Sequence, residues 1–415
     1  MRALALLATA LILVPVSAAR AEPGLDRPAF LPPDAKILDV LESSPQLAEA
    51  RALAGAARAE QRMLNAGEHE TSVTVAFDDR RVRREGDYSE WSVQASRGLR
   101  LPGKAAMDRA AGRAGVEAAQ DGIEDARHQA SLILADRWVS WAEAAERRAL
   151  ADAELATYAR EAAALARRVE LKDAALLDLE VARGAEARAG AAAAQAAGEE
   201  AAARASLEAM FPGLAPATAP ALPEPLTPAR PFEAWPQVII ERSHEISIAR
   251  ARADRERFLA ERTRQDRLPD PSFGMRTFSE RGGEETGLGV FVSIPFSGPR
   301  RSAAADRQAA AASAAEARFA MTVREVQATA RADAISAATA LTAWTVSKAA
   351  GDASAQATRR VARAYALGER DLGERLLAER QEFEARRAEL AARAEAHRRL
   401  LRLALDAHEL WLAEE

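Results

Sequence analysis

The chain has 415 residues, a net charge of −5, 29% charged residues and no cysteine. Without cysteine, disulfide bonds, thiolate metal sites and a lipid-modified N-terminal cysteine are excluded. The mildly acidic balance gives no reason to expect nucleic acid as a partner.

Residues 1–21 have the pattern of a secretory signal peptide. Arg2 gives the positive start, an apolar run extends from Leu4 to Val16, and Ala19-Arg-Ala21 forms a small-residue cleavage site. The run is too short to span a bilayer as a helix, although an uncleaved anchor is the alternative. We exclude residues 1–21 from the fold. Because no later apolar run is long enough for a membrane helix, the mature chain could cross a membrane only by strands closed into a barrel.

The first segment of the mature chain predicts an irregular stretch and a broken helix. Residues 22–33 are rich in proline, so we expect them to be extended and weakly ordered. Asp34 is placed to cap a helix that continues to about Asn65. Pro45 should break this helix, with Ser44 as the cap of the second part.

A β-hairpin is predicted at about residues 70–101. Apolar residues alternate with polar ones on both sides of a charged, arginine-rich turn, which is strand spacing. Each strand has about ten residues, the length that a tilted strand needs to cross a bilayer. An ordinary surface hairpin is the alternative.

Two long alanine-rich helices and a proline-rich linker follow. The first helix is predicted from Lys104 to Glu170, about 100 Å at 1.5 Å per residue, and a return helix covers 174–210. The inward positions are mostly alanine, and we expect Trp138 and Trp141 to be packing residues. Residues 212–235 carry many prolines and predict an extended linker, not a domain.

The second half of the chain repeats this order of elements. The segment after Ser243 aligns with the segment after Ser44, and the residues from Leu288 to Ile294 alternate as a strand before a long helix begins at Pro299. A helix is predicted at 236–267 and a return helix at 372–412. The predicted units are a first repeat at 22–211 (β-hairpin 70–101, coiled-coil hairpin 103–211), the linker at 212–235 and a second repeat at 236–415 (β-hairpin 271–296, coiled-coil hairpin 299–412).

The predicted fold is mainly α with a small β part, in two tandem repeats of helix, β-hairpin, long helix and return helix. Two hairpins supply four strands, which cannot close a barrel and would leave unpaired edges in lipid. Three chains would supply twelve strands, enough to enclose an open lumen. If the strands cross a membrane, the chain must therefore oligomerise, and a trimer would form a transmembrane β-barrel continued by an α-helical barrel. In this arrangement the apolar side of the last strand, from Leu288 to Ile294, faces lipid, and Phe291 faces the lumen.

Two motifs carry a resemblance to a known family. One is Val292-Ser-Ile-Pro-Phe-Ser-Gly-Pro-Arg300, and the other is Tyr365-Ala-Leu-Gly-Glu-Arg-Asp-Leu-Gly-Glu-Arg-Leu-Leu-Ala378. With the order of elements, they resemble the TolC family of outer-membrane efflux proteins over essentially all of the mature chain. The sequence departs from the family pattern at the helix tips, where Lys172 replaces a glycine, Asp371 a serine or threonine, and Arg375 an apolar residue.

The resemblance implies a homotrimeric channel in the cell outer membrane, with a long periplasmic portion that docks onto an adaptor protein and an inner-membrane pump. It implies an adaptor-docking tip and a periplasmic gate. The docking tip comprises Leu171, Lys172, Asp173, Tyr365, Leu367, Gly368 and Leu372. The gate comprises Arg370 and Glu374, where a ring of three carboxylates would favour cations. A solvated helix face is the alternative for both gate residues.

The sequence contains no candidate catalytic residues. The five histidines, His69, His128, His244, His397 and His408, show neither HxxxH nor HExxH spacing. No GxSxG, P-loop or GxGxxG motif occurs in a strand-turn-helix context. We therefore predict no metal site, no cofactor and no enzymatic activity.

Two other functional classes stay open at this point. A periplasmic coiled-coil adaptor would have one helical hairpin between β-domains, and a structural coiled-coil protein without a pore would not need two matched β-hairpins. The cargo stays open among metal ions, drugs and polypeptides. The end of the chain soon after Trp411 resembles the heavy-metal-efflux branch of the family.

Overall fold

The computed structural model describes residues 24–411, which are mainly helical with one small antiparallel sheet, as predicted. The predicted signal peptide lies outside the described residues. The last helix ends at Asp406, before its predicted end at Leu412, and residues 407–411 are not helical. The first half contains α1 (Asp34–Glu42), α2 (Pro45–Ala66), β1 (Thr71–Val82), β2 (Gly86–Gly98), α3 (Pro102–Glu170) and α4 (Leu176–Met210). The second half contains α5 (Trp235–Arg242), α6 (His244–Gln265), β3 (Ser272–Glu280), β4 (Glu285–Ser293), α7 (Pro299–Ala366) and α8 (Leu372–Asp406).

Serine caps begin the matching helices α2 and α6. The Leu47 backbone N–H donates to Ser44 Oγ at 3.3 Å, and the Ile246 backbone N–H donates to Ser243 Oγ at 3.3 Å. The predicted break before Pro45 is confirmed. The predicted unbroken helix at 236–267 is wrong, because Ser243 has extended backbone angles and caps a new helix there.

The long helices α3 and α7 have 69 and 68 residues, so each is about 100 Å long. α3 packs against α2, α4, α6 and α8, and α7 packs against α6 and α8, mainly through alanine. The small side chains let the helix axes approach closely. No helix within residues 24–411 combines the length and the apolar composition that crossing a bilayer requires.

The largest apolar core lies partway along the long helices, where aromatic and leucine residues replace alanine. Trp138 and Trp141 are almost fully buried, with ring centroids 5.6 Å apart in an edge-to-face arrangement. Their predicted role in packing is confirmed. Leu41, Leu134 and Leu401 are fully buried in the same cluster.

The proline-rich segments are packed against this core. The expectation that residues 22–33 are weakly ordered is wrong for the described part, since Leu25, Phe30 and Leu31 are buried. The Trp138 Nε1–H donates to the Phe30 carbonyl at 3.1 Å. Leu222 in the linker is buried too. Prolines keep these segments extended and the apolar residues between them fill grooves between helices.

The four strands form one antiparallel sheet in the order β1-β2-β3-β4, so β2 and β3 join the two halves of the chain. Paired residues project to the same side, and the register collects apolar side chains on one face. These are Val73, Val75, Phe77, Trp91, Val93, Ala95, Phe273, Met275, Leu288, Val290 and Val292. Much of this face is open, with Phe77 80% and Val290 86% exposed.

The opposite face is polar, with two phenylalanines that cover glycines. Phe291 lies over its partner Gly274, and Phe278 lies over Gly287. A large ring on the polar face therefore lies flat on a neighbouring strand. β4 ends at Ser293, before the predicted end at Phe296, because Pro295 has no N–H to donate.

A pair of glycines tests this packing. We expect Gly274→Ala to destabilise the fold by about 1–3 kcal/mol, because the added Cβ would lie 2.3 Å from Phe291 Cζ and 2.7 Å from the Ala95 carbonyl oxygen. Gly289→Ala is the matched control, since a Cβ at Gly289 meets nothing within 4 Å. Urea unfolding followed by circular dichroism measures both variants. Equal midpoints for the two variants would contradict the packing.

Candidate functional site at the helix tips

Helix α3 ends in a Schellman turn that has lysine where glycine is usual. The Asp173 backbone N–H donates to the Arg168 carbonyl at 2.8 Å, and the Lys172 N–H donates to the Val169 carbonyl at 3.0 Å. Lys172 has a φ of +62°, in the left-handed region. The departure from the family pattern at this position therefore keeps the turn but adds backbone strain.

Helix α7 ends in the same turn with glycine in place. The Glu369 N–H donates to the Ala364 carbonyl at 2.9 Å, and the Gly368 N–H donates to the Tyr365 carbonyl at 3.0 Å. Gly368 has a φ of +77°, and a Cβ there would meet nothing within 4 Å. The glycine is therefore required by the backbone angle and not by crowding.

A capping box starts α8 directly after this turn. The Glu374 N–H donates to Asp371 Oδ1 at 2.8 Å, and the Asp371 N–H donates to Glu374 Oε2 at 3.4 Å. The other oxygen of Glu374, Oε1, accepts from Arg370 Nη1 at 2.5 Å. The aspartate is thus an adequate cap in place of serine or threonine. Both predicted gate residues are held in local contacts, and each is about half exposed.

Arginine side chains connect the two helix tips, which are the turn between α3 and α4 and the turn between α7 and α8. Arg168 Nη1 donates to the Tyr365 hydroxyl at 3.2 Å, and Arg375 lies 5.0 Å from the centroid of the Tyr365 ring. Arg375 also pairs with Glu161 on α3 and with Glu379 on α8. Sequence reasoning missed the bridging role of these arginines. Arg375 could have indicated this role, because it places a charge where the family pattern has an apolar residue.

Of the two carboxylates that pair with Arg375, Glu379 is buried more deeply than Glu161. Glu379 is buried, and burial raises the pKa of its carboxyl group even though Arg375 opposes the shift. At the other turn, a hydrogen bond to Asp173 raises the pKa of the exposed Arg168 guanidinium still further above its usual value. Arg168 therefore stays charged at any physiological pH.

The predicted docking residues divide into a buried group and an exposed group. Leu372 is buried with Leu165 and Leu179, and Tyr365 is packed against that cluster. Leu171 is 75% exposed and Leu367 is 66% exposed. Leu176 and Leu177 at the start of α4 are exposed as well. The two tips therefore lie side by side, joined inside by leucines and presenting other leucines to solvent.

The side chains with metal-ligand spacing lie away from the helix tips. Within residues 24–411, one group of histidine and carboxylate side chains has metal-ligand spacing, and it comprises Asp125, His128 and Glu245. These residues lie beside the central core and not at the helix ends.

Solved structures show what the fold is similar to, whereas no family model and no curated protein matches the sequence. The outer-membrane channel OprN superposes with a TM-score of 0.78 at 19% identity, over 91% of this chain and 90% of that one. The CmeC outer-membrane channel of Campylobacter jejuni gives 0.77 at 12% identity, over 92% and 87%. The open state of the MtrE outer-membrane channel of Neisseria gonorrhoeae gives 0.69 at 17% identity, over 93% and 94%.

The fold is that of a two-repeat outer-membrane channel protein. More particularly, it is the fold of the TolC family, so the resemblance that the sequence motifs carry is confirmed at the level of the fold. The match covers about nine-tenths of both chains.

The two turns give a matched pair of variants. We expect Lys172→Gly to stabilise the protein by about 1 kcal/mol, because glycine adopts a positive φ without strain. Gly368→Ala should destabilise it by about 1–2 kcal/mol for the reverse reason. Thermal or urea unfolding of the two variants beside the parent protein measures these changes. A destabilised Lys172→Gly protein would show that the lysine side chain contributes more than the strain costs.

Proposed function

We propose that the protein is the outer-membrane channel of a tripartite efflux system, a passive conduit that works as a homotrimer. The observation that carries the proposal is the sheet, whose exposed apolar face and two open edges have no use in a single soluble chain. The fold shared with outer-membrane channels supports this reading. In this role the chain needs no catalytic residue, since the partner pump supplies the energy.

The sheet edges indicate how the trimer closes. β1 and β4 each pair with one strand, so each has an open side. In lipid these N–H and C=O groups need partners, and β4 of one chain can pair with β1 of the next. Three copies of four strands then give a closed barrel of twelve strands, and the long helices continue it as a tube in the periplasm.

The two faces of the sheet indicate its orientation in that barrel. The apolar face, with Leu288, Val290 and Val292 at one edge, would contact lipid. The polar face would line the lumen, where Phe291 lies over Gly274 and so does not obstruct the pore. Phe296 is 97% exposed. It would lie at the periplasmic surface of the outer membrane, where aromatic residues anchor barrels.

The division of the chain follows from this arrangement. The segments at 22–211 and 236–415 would be two structural repeats, each contributing a barrel hairpin and a helical hairpin, with residues 212–235 as the crossover between them. Residues 1–21 would direct secretion and then be removed.

The helix tips would dock onto the adaptor. The proposed docking residues are Leu171, Lys172, Asp173, Tyr365, Leu367, Gly368 and Leu372. Of these, Leu171 and Leu367 offer exposed apolar side chains at turns that two Schellman motifs hold rigid. A preorganised apolar surface reduces the entropy lost on binding. Leu372 and Tyr365 would act from inside by fixing the position of the turns.

Arg370 and Glu374 would form the gate at the periplasmic entrance. Three copies of Glu374 around a threefold axis would place negative charge at the narrowest point and favour cations. In the isolated chain Glu374 is paired with Arg370. In the proposed trimer this pair would exchange its local contact for one across the entrance. Binding of the adaptor would bias that exchange.

The adaptor and the pore-free structural protein are less well supported. An adaptor carries one helical hairpin, whereas this chain has two, formed by α3 with α4 and by α7 with α8. A pore-free coiled coil does not account for an exposed apolar sheet face. Neither class matches the shared fold over some nine-tenths of the chain.

Reconstitution tests the proposed channel directly. We expect outer-membrane extracts to contain an SDS-resistant trimer, and the purified trimer to form ion-conducting pores in planar bilayers. A soluble monomer, or a trimer without conductance in any tip variant, would contradict the proposal. Variants at the gate residues Arg370 and Glu374 are included because a closed tip would lower the conductance of a correctly assembled trimer.

A charge-only substitution tests the gate. We expect Glu374→Gln to reduce the preference of the pore for cations, while glutamine keeps the hydrogen bonds of the capping box. Glu233→Gln, an exposed residue beside α5 and far from the tips, is the control with the same loss of charge. Reversal potentials under a salt gradient measure the selectivity. Unchanged selectivity in Glu374→Gln would remove this residue from the entrance.

A further inference from the structure

Three of the five histidines converge at one place in the structure although they are distant in sequence. The His244 and His408 rings are stacked with centroids 4.4 Å apart, and the His128 and His408 rings meet edge to face at 5.5 Å. His128 belongs to α3, His244 begins α6, and His408 follows α8. The cluster therefore joins both halves of the chain to its C-terminal turn.

Two carboxylates complete a set of potential metal ligands. One ligand atom each from Asp125, His128 and Glu245 lie within 4.8 Å of one another. Asp125 and His128 are three residues apart on α3, which places them on one face of the helix. Glu245 is the second residue of α6, and Ser243 Oγ holds its Oε2 at 2.6 Å.

The free atoms of these side chains indicate an ion. His128 is nine-tenths buried, and its Nε2 is 3.0 Å from Asp406 Oδ1, so Nδ1 is the nitrogen that remains. That Nδ1 is buried without a hydrogen-bond partner, and so is Asp125 Oδ1. A buried polar atom without a partner destabilises the folded chain, and a bound cation would supply that partner.

Asp406 has the position of an outer partner of the metal ligand His128. Metal-binding histidines usually donate their second ring N–H to a carboxylate, which fixes the tautomer and the ring orientation. Here the Asp406 contact fixes the proton on Nε2 and directs the lone pair of Nδ1 away from it. Asp406 is itself close to Arg402 on α8.

A cavity of about 600 Å³ lined by His128, Glu245 and His408 offers an entry path.

We propose that Asp125, His128 and Glu245 bind one divalent transition-metal ion per chain, with Asp406 orienting His128 and the neighbouring His244 and His408 forming the wall of the site. One imidazole with two carboxylates suits Zn²⁺ and its neighbours in the transition series, whereas Mg²⁺ and Ca²⁺ prefer ligand sets of oxygen alone. The three side chains leave a fourth tetrahedral position open to solvent. The ion would fasten α3 to α6, and Asp406 at the end of α8 would be tied to the site through His128.

Zn²⁺ binding to the full mature chain in detergent, carrying no histidine tag, tests the site. We expect one Zn²⁺ per chain by isothermal titration calorimetry, with X-ray absorption showing nitrogen and oxygen ligands that include imidazole. Glu245→Gln and Asp125→Asn remove a ligand charge at constant size, and each should weaken binding at least tenfold. Asp406→Asn should weaken it about 10- to 100-fold, as is usual for outer partners of a metal ligand.

His69→Gln is the matched control because His69 lies outside the cluster and pairs with Asp270 near the sheet. We expect its Zn²⁺ affinity to be unchanged, and circular dichroism checks that every variant is folded. Absence of stoichiometric binding, or parental affinity in both Glu245→Gln and Asp125→Asn, would overturn the proposal. Displacement of Zn²⁺ by equimolar Ca²⁺ would overturn the assignment to a transition metal. Because ions are counted per chain, the result is independent of trimer formation and conductance.

Discussion

The hydrogen-bonding groups of the sheet edges constrain the whole molecule. A four-stranded sheet with an apolar face can lie in lipid only if every backbone N–H and C=O group has a partner. The chain pairs β2 with β3 and so joins its two hairpins, but β1 and β4 keep one open side each. No rearrangement within one chain closes so small a sheet. The proposed trimer follows from this limit.

The alanine-rich composition of the long helices α3 and α7 allows them to pack closely over their whole length. A tube about 100 Å long needs helices that lie side by side without a thick core between them. Alanine at the buried positions of α3 and α7 permits that approach, while arginine and glutamate on other faces of α3 form ion pairs such as Arg148–Glu200 and Arg387–Glu154. Large side chains such as Trp138 and Trp141 appear where additional segments must be held, namely the N-terminal residues and the proline-rich linker.

Much of this architecture could be predicted from periodicity, because strand and helix patterns are local. The two repeats, the break at Pro45 and the packing of the tryptophans follow from neighbouring residues. The break at Ser243 could have been predicted from its alignment with Ser44, but no proline marks it. The order in residues 24–33 depends on a groove that exists only after the helices have packed.

The histidine cluster was beyond sequence reasoning for a geometric reason. Spacing rules detect ligands on one helix, whereas His128, His244 and His408 come from three segments. Their approach depends on the turn after α8, where His408 takes a left-handed conformation with a φ of +54°. Neither that turn nor the packing of α3 against α6 has a signal in the spacing of the histidines.

The tips show how local geometry limits where a channel of this fold can open. Within one chain, the α3–α4 and α7–α8 turns are joined by buried Leu165, Leu179 and Leu372 and by the Arg375–Glu161 pair. Separating them would expose several apolar side chains, at about 1.5–3 kcal/mol each. The Arg370–Glu374 pair is half exposed, so exchanging it costs at most about 1 kcal/mol. In the proposed trimer, we therefore expect the two tips of a chain to move as one unit and the entrance to open between chains.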